Sequence, residues 1–156
     1  MDFDKFLALL AEFKKWDVEY VLVGGVALNI HGIVRTTEDI DFFIRPTTEN
    51  VERLKSALRS VWNDGDIEQI SATDLQGQYP TIRYGPPGEE FVIDIIAKLG
   101  SAFSFDDLRF EDLPLGKVMV RVATPETLLQ MKKDTVRPID HADAAALREK
   151  FGLEGH

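Results

Sequence analysis

Hydrophobic positions in the first third of the chain alternate between helical and extended spacing. Apolar residues recur at helical intervals from about residue 2 to 16, which predicts an amphipathic first helix. A β-branched apolar run at residues 18–23 predicts a strand that stops at Gly24 and Gly25. Residues 26–32 predict a short helix that a glycine closes. The chain therefore opens with a helix, a strand, a tight turn and a helix.

Further strands and helices follow in mixed order, separated by turn residues. Pro46 ends one strand, and the Gly-Pro-Pro-Gly sequence at residues 85–88 is typical of a hairpin turn. Thr124 followed by Pro125 is a helix start, with threonine as the N-cap. The predicted strands cover residues 39–45, 67–71, 79–84, 91–97 and 117–122, and the predicted helices cover residues 48–62, 125–134 and the segment after Pro138.

This mixture predicts an α/β fold of the α+β kind, in which helices pack against a mixed β-sheet. The length of 156 residues is that of one globular domain with a substantial core. We expect a single domain over residues 1–156, with the C-terminal helices of about 125–151 packed on it.

Composition and charge narrow the classes of function. The chain has no cysteine, which excludes disulfides, thiolate metal sites and a cysteine nucleophile, and its three histidines are too scattered for a zinc site. A net charge of -9 argues against a surface built to bind nucleic-acid phosphates, although Lys132, Lys133 and Arg137 could form a local basic groove. No apolar segment reaches membrane-spanning length, so we expect a cytoplasmic protein without a membrane partner.

Two acids in the strand at residues 39–45 are candidates for metal chemistry. The strand period of two puts Asp39 and Asp41 on one face and Ile40 and Phe42 on the other. Their Cα atoms would lie about 6.5–7 Å apart, close enough for both side chains to reach one divalent cation or a pair of cations. Without a metal the two carboxylates would repel each other.

Asp94 is the one acid in a predicted strand that is otherwise apolar on both faces. A buried carboxylate without a partner is destabilising, so a cation or a role as general base is expected there. Oxygen ligands on separate strands favour Mg²⁺ or Mn²⁺, completed by water and substrate phosphates. A structural alternative is that Asp39 caps a turn and Asp41 lies on an exposed edge strand. In that case Asp94 would pair with Arg83 or Arg35.

Gly24 and Gly25 stand where the first strand meets the second helix. Glycines at this junction let backbone N–H groups approach a phosphate, and a helix N-terminus favours the anion. A glycine pair after a strand is at least as often a simple turn, and neither a P-loop nor a G-x-G-x-x-G spacing is present. The carboxylates that follow favour the phosphate interpretation.

Residues 24–41 carry the pattern G-G-x-A followed by G-x-x-R-x-T-x-D-I-D. With Asp94, this stretch closely resembles the signature of the polymerase-beta-like nucleotidyltransferase superfamily, in its small bacterial branch of minimal and toxin-type members. The resemblance implies the nucleotidyltransferase fold and transfer of a nucleoside monophosphate from an NTP, with ATP expected, to a hydroxyl acceptor on an RNA end, a protein or a small molecule. It also implies a toxin–antitoxin or defence system, with a partner protein from a neighbouring gene.

The same resemblance implies roles for individual residues. Catalysis and metal binding would fall to Asp39, Asp41 and Asp94, with Asp94 activating the acceptor hydroxyl. The nucleotide would be bound by Gly24, Gly25, Arg35, Thr37, Lys132 and Arg137.

The segment at residues 131–143 is similar to the C-terminal part of this branch, in which a lysine-bearing helix precedes Arg-x-x-Asp-x-x-Asp. Lys132 or Lys133 would then face the phosphates. Asp140 and Asp143 are expected to cap the last helix and to complement its dipole.

The sequence departs from many active members at one position. Where they carry Gly-Ser in the turn, this chain has Gly25 and Val26, so a side-chain contact to phosphate is lost. Arg35 could supply the missing charge, or it could be a surface arginine or form a salt bridge with Glu38. His31 is expected to end its helix and pack against the sheet. The alternative function is a catalytically weak or inactive nucleotide-binding regulatory module of the same fold.

Overall fold

The computed structural model describes residues 3–37, 39–77, 80–99, 103–132 and 138–153. The helices are α1 (Phe3–Lys15), α2 (Gly24–Ile30), α3 (Thr48–Val61), α4 (Ala72–Leu75), α5 (Pro125–Lys132) and α6 (Pro138–Phe151). The strands are β1 (Tyr20–Val23), β2 (Asp39–Ile44), β3 (Thr81–Tyr84), β4 (Val92–Ile96), β5 (Lys98–Leu99), β6 (Phe103–Ser104), β7 (Phe110–Leu115) and β8 (Val118–Ala123). Among the described residues, no helix has the length and apolar character that crossing a membrane requires.

Six strands form one mixed sheet in the order β3-β4-β2-β1-β8-β7. β2 and β4 are parallel, as are β1 and β8, whereas β1 is antiparallel to β2. The hairpin pairs β3–β4 and β7–β8 are antiparallel, and β5 and β6 form a separate two-stranded ribbon. The predicted mixed sheet is confirmed, and so is the hairpin turn between β3 and β4.

The two faces of β2 have different surroundings. Ile40 and Phe42 are fully buried, and Phe13 of α1 meets Phe42 edge-on with ring centroids 4.9 Å apart. Asp39 and Asp41 are only partly buried and point to the opposite face, because side chains alternate along a strand. The alternation predicted from the sequence is confirmed, and the acids face away from α1.

The two C-terminal helices pack on each other and begin as the sequence indicates. The Thr124 side chain accepts a hydrogen bond of 3.2 Å from the backbone N–H of Thr127, as expected of an N-cap, and Pro125 is the first residue of α5. Pro138 likewise begins α6. Leu128 of α5 and Leu147 of α6 are buried, so both helices contribute to the core.

The strand predicted at residues 67–71 is wrong. Gly65–Gln69 is a 3₁₀ helix whose cap is Asp64, and Ser71 caps α4 through a hydrogen bond of 3.1 Å from the backbone N–H of Asp74. Short polar side chains that bond to the backbone stop extended structure here. The other predicted elements are confirmed with bounds that differ by one or two residues, apart from Tyr79, Lys133 and Asp134, which lie outside the described residues.

The strand β7 was not predicted from the sequence. It is an edge strand, and its side chains do not alternate clearly between buried and exposed. Phe110, Glu111 and Asp112 are all exposed. Pro114 fits such a position, since an edge strand can lack one N–H donor.

Candidate active site

The glycine turn leaves room for an acid of the neighbouring strand. Gly24 adopts a φ of +74°, in the left-handed region that favours glycine. A Cβ at Gly24 would lie 2.0 Å from Oδ2 of Asp41, and a Cβ at Gly25 would lie 3.1 Å from Oγ1 of Thr37. Backbone conformation and close approach therefore both require glycine at position 24.

Strand register places the acids in a row beside this turn. Asp41 of β2 lies opposite Asp94 of the parallel strand β4 on one side and opposite Val23 of β1 on the other. Val23 directly precedes the glycine turn. Asp94, Asp41 and Val23 thus lie along one line across three neighbouring strands, with Gly24 directly after Val23. Asp39 lies two residues before Asp41 on the same face.

The environment of Asp41 favours its protonated form. The pKa of Asp41 is raised from 3.8 to about 7 by burial, by a hydrogen bond with Asp94, by the charge of Asp94 and by the charge of Asp39, in decreasing order of effect. Lys132 acts in the opposite direction. Asp41 is therefore about half protonated at neutral pH, which marks a place where negative charge is in excess.

Arg83 lies beside the acids from the edge strand β3. Its Nη2 is 3.1 Å from Oδ1 of Asp39 and its Nη1 is 3.8 Å from Oδ1 of Asp94. The pairing of Asp94 with Arg83, the structural alternative considered from the sequence, is therefore present. The Arg83 side chain is 63% exposed, so the guanidinium is free to take another position.

A divalent cation fits the donor set but not the present arrangement of all three acids. Among the described residues, no three histidine or acidic side chains are already placed to hold one metal ion. Asp39 is turned toward Arg83, whereas the proton that Asp41 retains favours its hydrogen bond with Asp94. Carboxylate oxygens are the ligands that Mg²⁺ and Mn²⁺ prefer, and a cation in place of that proton would relieve the repulsion.

Two cations lie on another wall of the site and share one buried acid. Asp143 of α6 is 5% exposed, and its Oδ2 lies 2.5 Å from Nη1 of Arg35 and 3.0 Å from Nζ of Lys132. Arg35 is thus bonded to α6, and the alternative pairing with Glu38 involves a residue outside the described part of the chain. One carboxylate thus holds two positive charges in the cavity that also contains the acids of β2 and β4.

Thr37 organises the entrance to β2. Its Oγ1 donates to the carbonyl of Asp39 at 3.0 Å and accepts from the Asp39 N–H at 3.3 Å. The hydroxyl is therefore engaged with the backbone, and Thr37 positions the first acid.

Most of the residues predicted from the sequence line one cavity of about 560 Å³. Arg137 and Lys133 lie outside the described residues. The cavity is lined by Gly24, Gly25, Arg35, Thr37, Thr81, Arg83, Asp39, Asp41, Asp94, Ile96 and Lys132.

The prediction that Asp143 caps the last helix is wrong. α6 begins at Pro138, so Asp143 lies in its second turn, where it binds two cations instead of free N–H groups. The side chain of Asp140 lies outside the described residues. The expectation for His31 is confirmed, because this residue ends α2 and its Nε2 lies 2.8 Å from the carbonyl of Ala123 on β8.

The fold that holds this site is that of nucleotidyltransferases. The chain superposes on lincosamide antibiotic adenylyltransferase LnuA, solved with lincomycin bound, with a TM-score of 0.59 at 15% identity, covering 95% of this chain and 97% of that one. For ANT(2")-Ia in complex with adenylyl-2"-tobramycin, the TM-score is 0.57 at 14% identity, covering 96% and 88%. An antigenic nucleotidyltransferase-like protein from Paracoccidioides brasiliensis gives 0.56 at 15% identity, covering 94% and 75%.

The particular family follows from the sequence itself. The chain belongs to the nucleotidyl transferase AbiEii toxin family of type IV toxin–antitoxin systems, whose family model matches residues 6–143. No curated protein sequence matches the chain. The resemblance stated from the glycine and aspartate motif is thereby confirmed, and the protein is a nucleotidyltransferase.

Proposed function

We propose that the chain transfers a nucleoside monophosphate from an NTP, with ATP the expected donor, to a hydroxyl acceptor at the cavity that holds Asp41 and Asp94. The observation that carries this proposal is the polarity of that cavity. The glycine turn and the row of acids form one part of its wall, while Arg35 and Lys132 bring positive charge to another. A metal-bound triphosphate needs both kinds of partner.

Asp39, Asp41 and Asp94 would hold the divalent cation, Mg²⁺ or Mn²⁺, once Asp39 turns from Arg83. The cation would neutralise charge on the attacking and leaving oxygens of the phosphoryl group. Because Asp41 would release its proton to solvent in order to bind this cation, metal binding and proton release would be coupled.

The protein's own residues would orient the substrates. Lys132 and Arg35 would bind oxygens of the triphosphate, and the backbone at Gly24 and Gly25 would approach it without side-chain obstruction. The acceptor oxygen forms a bond to the α-phosphorus while the bond from that phosphorus to the bridging oxygen breaks. Pyrophosphate leaves, and Asp94 takes the proton of the acceptor hydroxyl.

Incubation with each α-labelled NTP and Mg²⁺, alone and with tRNA or cell extract, tests this function. We expect label in an acceptor with the wild-type protein and none with Asp41→Asn. Absence of transfer under every condition, together with calorimetric binding of ATP, would overturn the enzymatic proposal in favour of a nucleotide-binding regulatory module.

The family membership supports a second part of the proposal, that the activity arrests growth and that an antitoxin partner opposes it. Induced expression of the wild-type chain is expected to slow growth, and Asp41→Asn is expected to restore it at equal protein levels. Normal growth on strong expression of wild-type protein would contradict the toxin role while leaving the transfer reaction open to the labelling assay.

A further inference from the structure

Arg83 occupies the end of the acid row that lies farthest from the glycine turn. Arg83 of β3 lies opposite Asp94 of β4, which lies opposite Asp41 of β2. Next along the row comes β1, which ends at Val23, directly before Gly24. Neighbouring strands are about 4.8 Å apart, so the backbone at Arg83 is about 14 Å from the glycine turn.

This order assigns the two substrates to opposite ends of the row. The proposed function, on which this inference rests, puts the triphosphate at the glycine turn and the reacting phosphorus over Asp41. The acceptor hydroxyl then lies over Asp94, and the position beyond it belongs to Arg83. The backbone of Arg83 therefore stands at the acceptor end of the row.

The contacts of Arg83 show what it does before substrates bind. It is a counter-ion for Asp39 and Asp94, with N–O distances of 3.1 and 3.8 Å. Both acids would also be ligands of the divalent cation. The other two cations of the cavity, Arg35 and Lys132, are bonded to Asp143. Cation binding therefore separates Arg83 from its carboxylates, and its largely exposed side chain can turn to a new anion.

We propose that Arg83 competes with the divalent cation for Asp39 and Asp94 in the free protein and then binds the acceptor substrate. A guanidinium binds phosphate and carboxylate groups by the same fork of N–H donors. The acceptor that fits this place carries such an anionic group close to its hydroxyl. Arg83 is then an acceptor-binding residue, distinct from the cations that bind the nucleotide.

Three measurements on Arg83→Gln test this proposal together. Calorimetric titration of Mn²⁺ into metal-free protein is expected to give two- to fivefold tighter binding, a range of about the size expected for an exposed ion pair. The affinity for a non-hydrolysable ATP analogue with Mg²⁺ is expected to stay within about twofold. Label transfer from saturating NTP into cell extract is expected to fall at least fivefold, with Arg83→Lys intermediate.

The salt dependence of transfer tests the charge of the acceptor. Wild-type transfer is expected to fall more steeply with added KCl than transfer by Arg83→Gln, because an ionic contact is screened. Arg59→Gln is the control, since it removes the same charge from an ion pair outside the cavity. Arg59 lies on α3, and its partner Glu68 lies on the neighbouring 3₁₀ helix. It should change none of the four results.

Four results would contradict the proposed role of Arg83. Unchanged Mn²⁺ affinity, weaker binding of the ATP analogue, undiminished transfer or an unchanged salt slope would each overturn the assignment of Arg83. If instead the wild-type protein binds neither Mn²⁺ nor nucleotide, the proposed function fails, and this outcome is visible before any variant is made.

Discussion

Asp41→Asn should stabilise the metal-free protein above neutral pH. The pKa of Asp41 is about 7 in the folded protein against 3.8 as its ordinary value. At 1.36 kcal/mol for each pH unit, ionising the folded carboxyl costs at most about 4 kcal/mol. Local relaxation of the folded protein and charge interactions in the unfolded chain reduce this figure. We therefore expect the free energy of unfolding of Asp41→Asn to exceed that of wild type by roughly 1–3 kcal/mol at pH 8.

The sign of the pH dependence follows from the raised pKa. Because folded Asp41 holds its proton more tightly than the unfolded chain does, its favourable contribution is complete below pH 3.8 and is lost progressively as the pH rises from there to about 7. The difference in free energy of unfolding between wild type and variant should therefore change most between about pH 4 and pH 7 and should be nearly constant from pH 7 to pH 8. Urea denaturation in EDTA at several pH values measures this difference.

Asp106→Asn is the matched control. Asp106 is exposed, and its hydrogen bonds with Arg45 lower its pKa, so neutralising it should bring no gain at pH 8. A variant of Asp41 that is less stable than wild type at pH 8, or a difference that does not change with pH, would refute the reasoning from burial and the neighbouring acid.

Three further changes have definite expected results. Gly24→Ala should lower stability by about 1–3 kcal/mol and abolish transfer, because Gly24 has a positive φ and a Cβ there would clash with the carboxylate of Asp41. Gly85→Ala is the control, since Gly85 has open space around it, and it should change neither the thermal melt nor the label transfer. Asp143→Asn should lower the free energy of unfolding by about 3 kcal/mol and raise the KM for NTP several-fold, because Arg35 and Lys132 lose their shared anion. Asp112→Asn on the edge strand β7 is the control and should change the free energy of unfolding by less than about 1 kcal/mol in the same urea titrations. Mg²⁺ should raise the melting temperature of wild type more at pH 8 than at pH 6, since it competes with a proton, and an equal rise at both pH values would contradict that coupling.

The central part of the site was predictable because it depends on local patterns. The period of two placed Asp39 and Asp41 on one face, and the apolar strand around Asp94 marked that acid as unusual. A glycine pair after a buried strand marked the turn. Even Arg83 could be foreseen as a neighbour of Asp94, because the hairpin turn at residues 85–88 sets the register between the two strands.

The rest depends on contacts between distant segments. Asp143 is 108 residues from Arg35 in the chain, and nothing in its own helix distinguishes a capping acid from one that binds two cations. What the sequence does not contain is the contact of this second-turn residue with Arg35 and Lys132, which the packing of α6 creates. The 3₁₀ helix at Gly65–Gln69 was missed for a different reason. Its apolar pattern also fits a strand, but the hydrogen bond from the Asp66 N–H to the capping side chain of Asp64 stabilises a helical turn instead.

The fate of the two ends of a labelled NTP tests the account most directly. ATP carrying label at the α-phosphorus or at the γ-phosphorus is incubated with the protein, Mg²⁺ and cell extract. The account predicts that the α label is joined to an acceptor while the γ label is released as pyrophosphate, and that both events stop in Asp41→Asn. Transfer of the γ label, or release of label without any α-labelled product, would contradict nucleotidyl transfer at this row of acids.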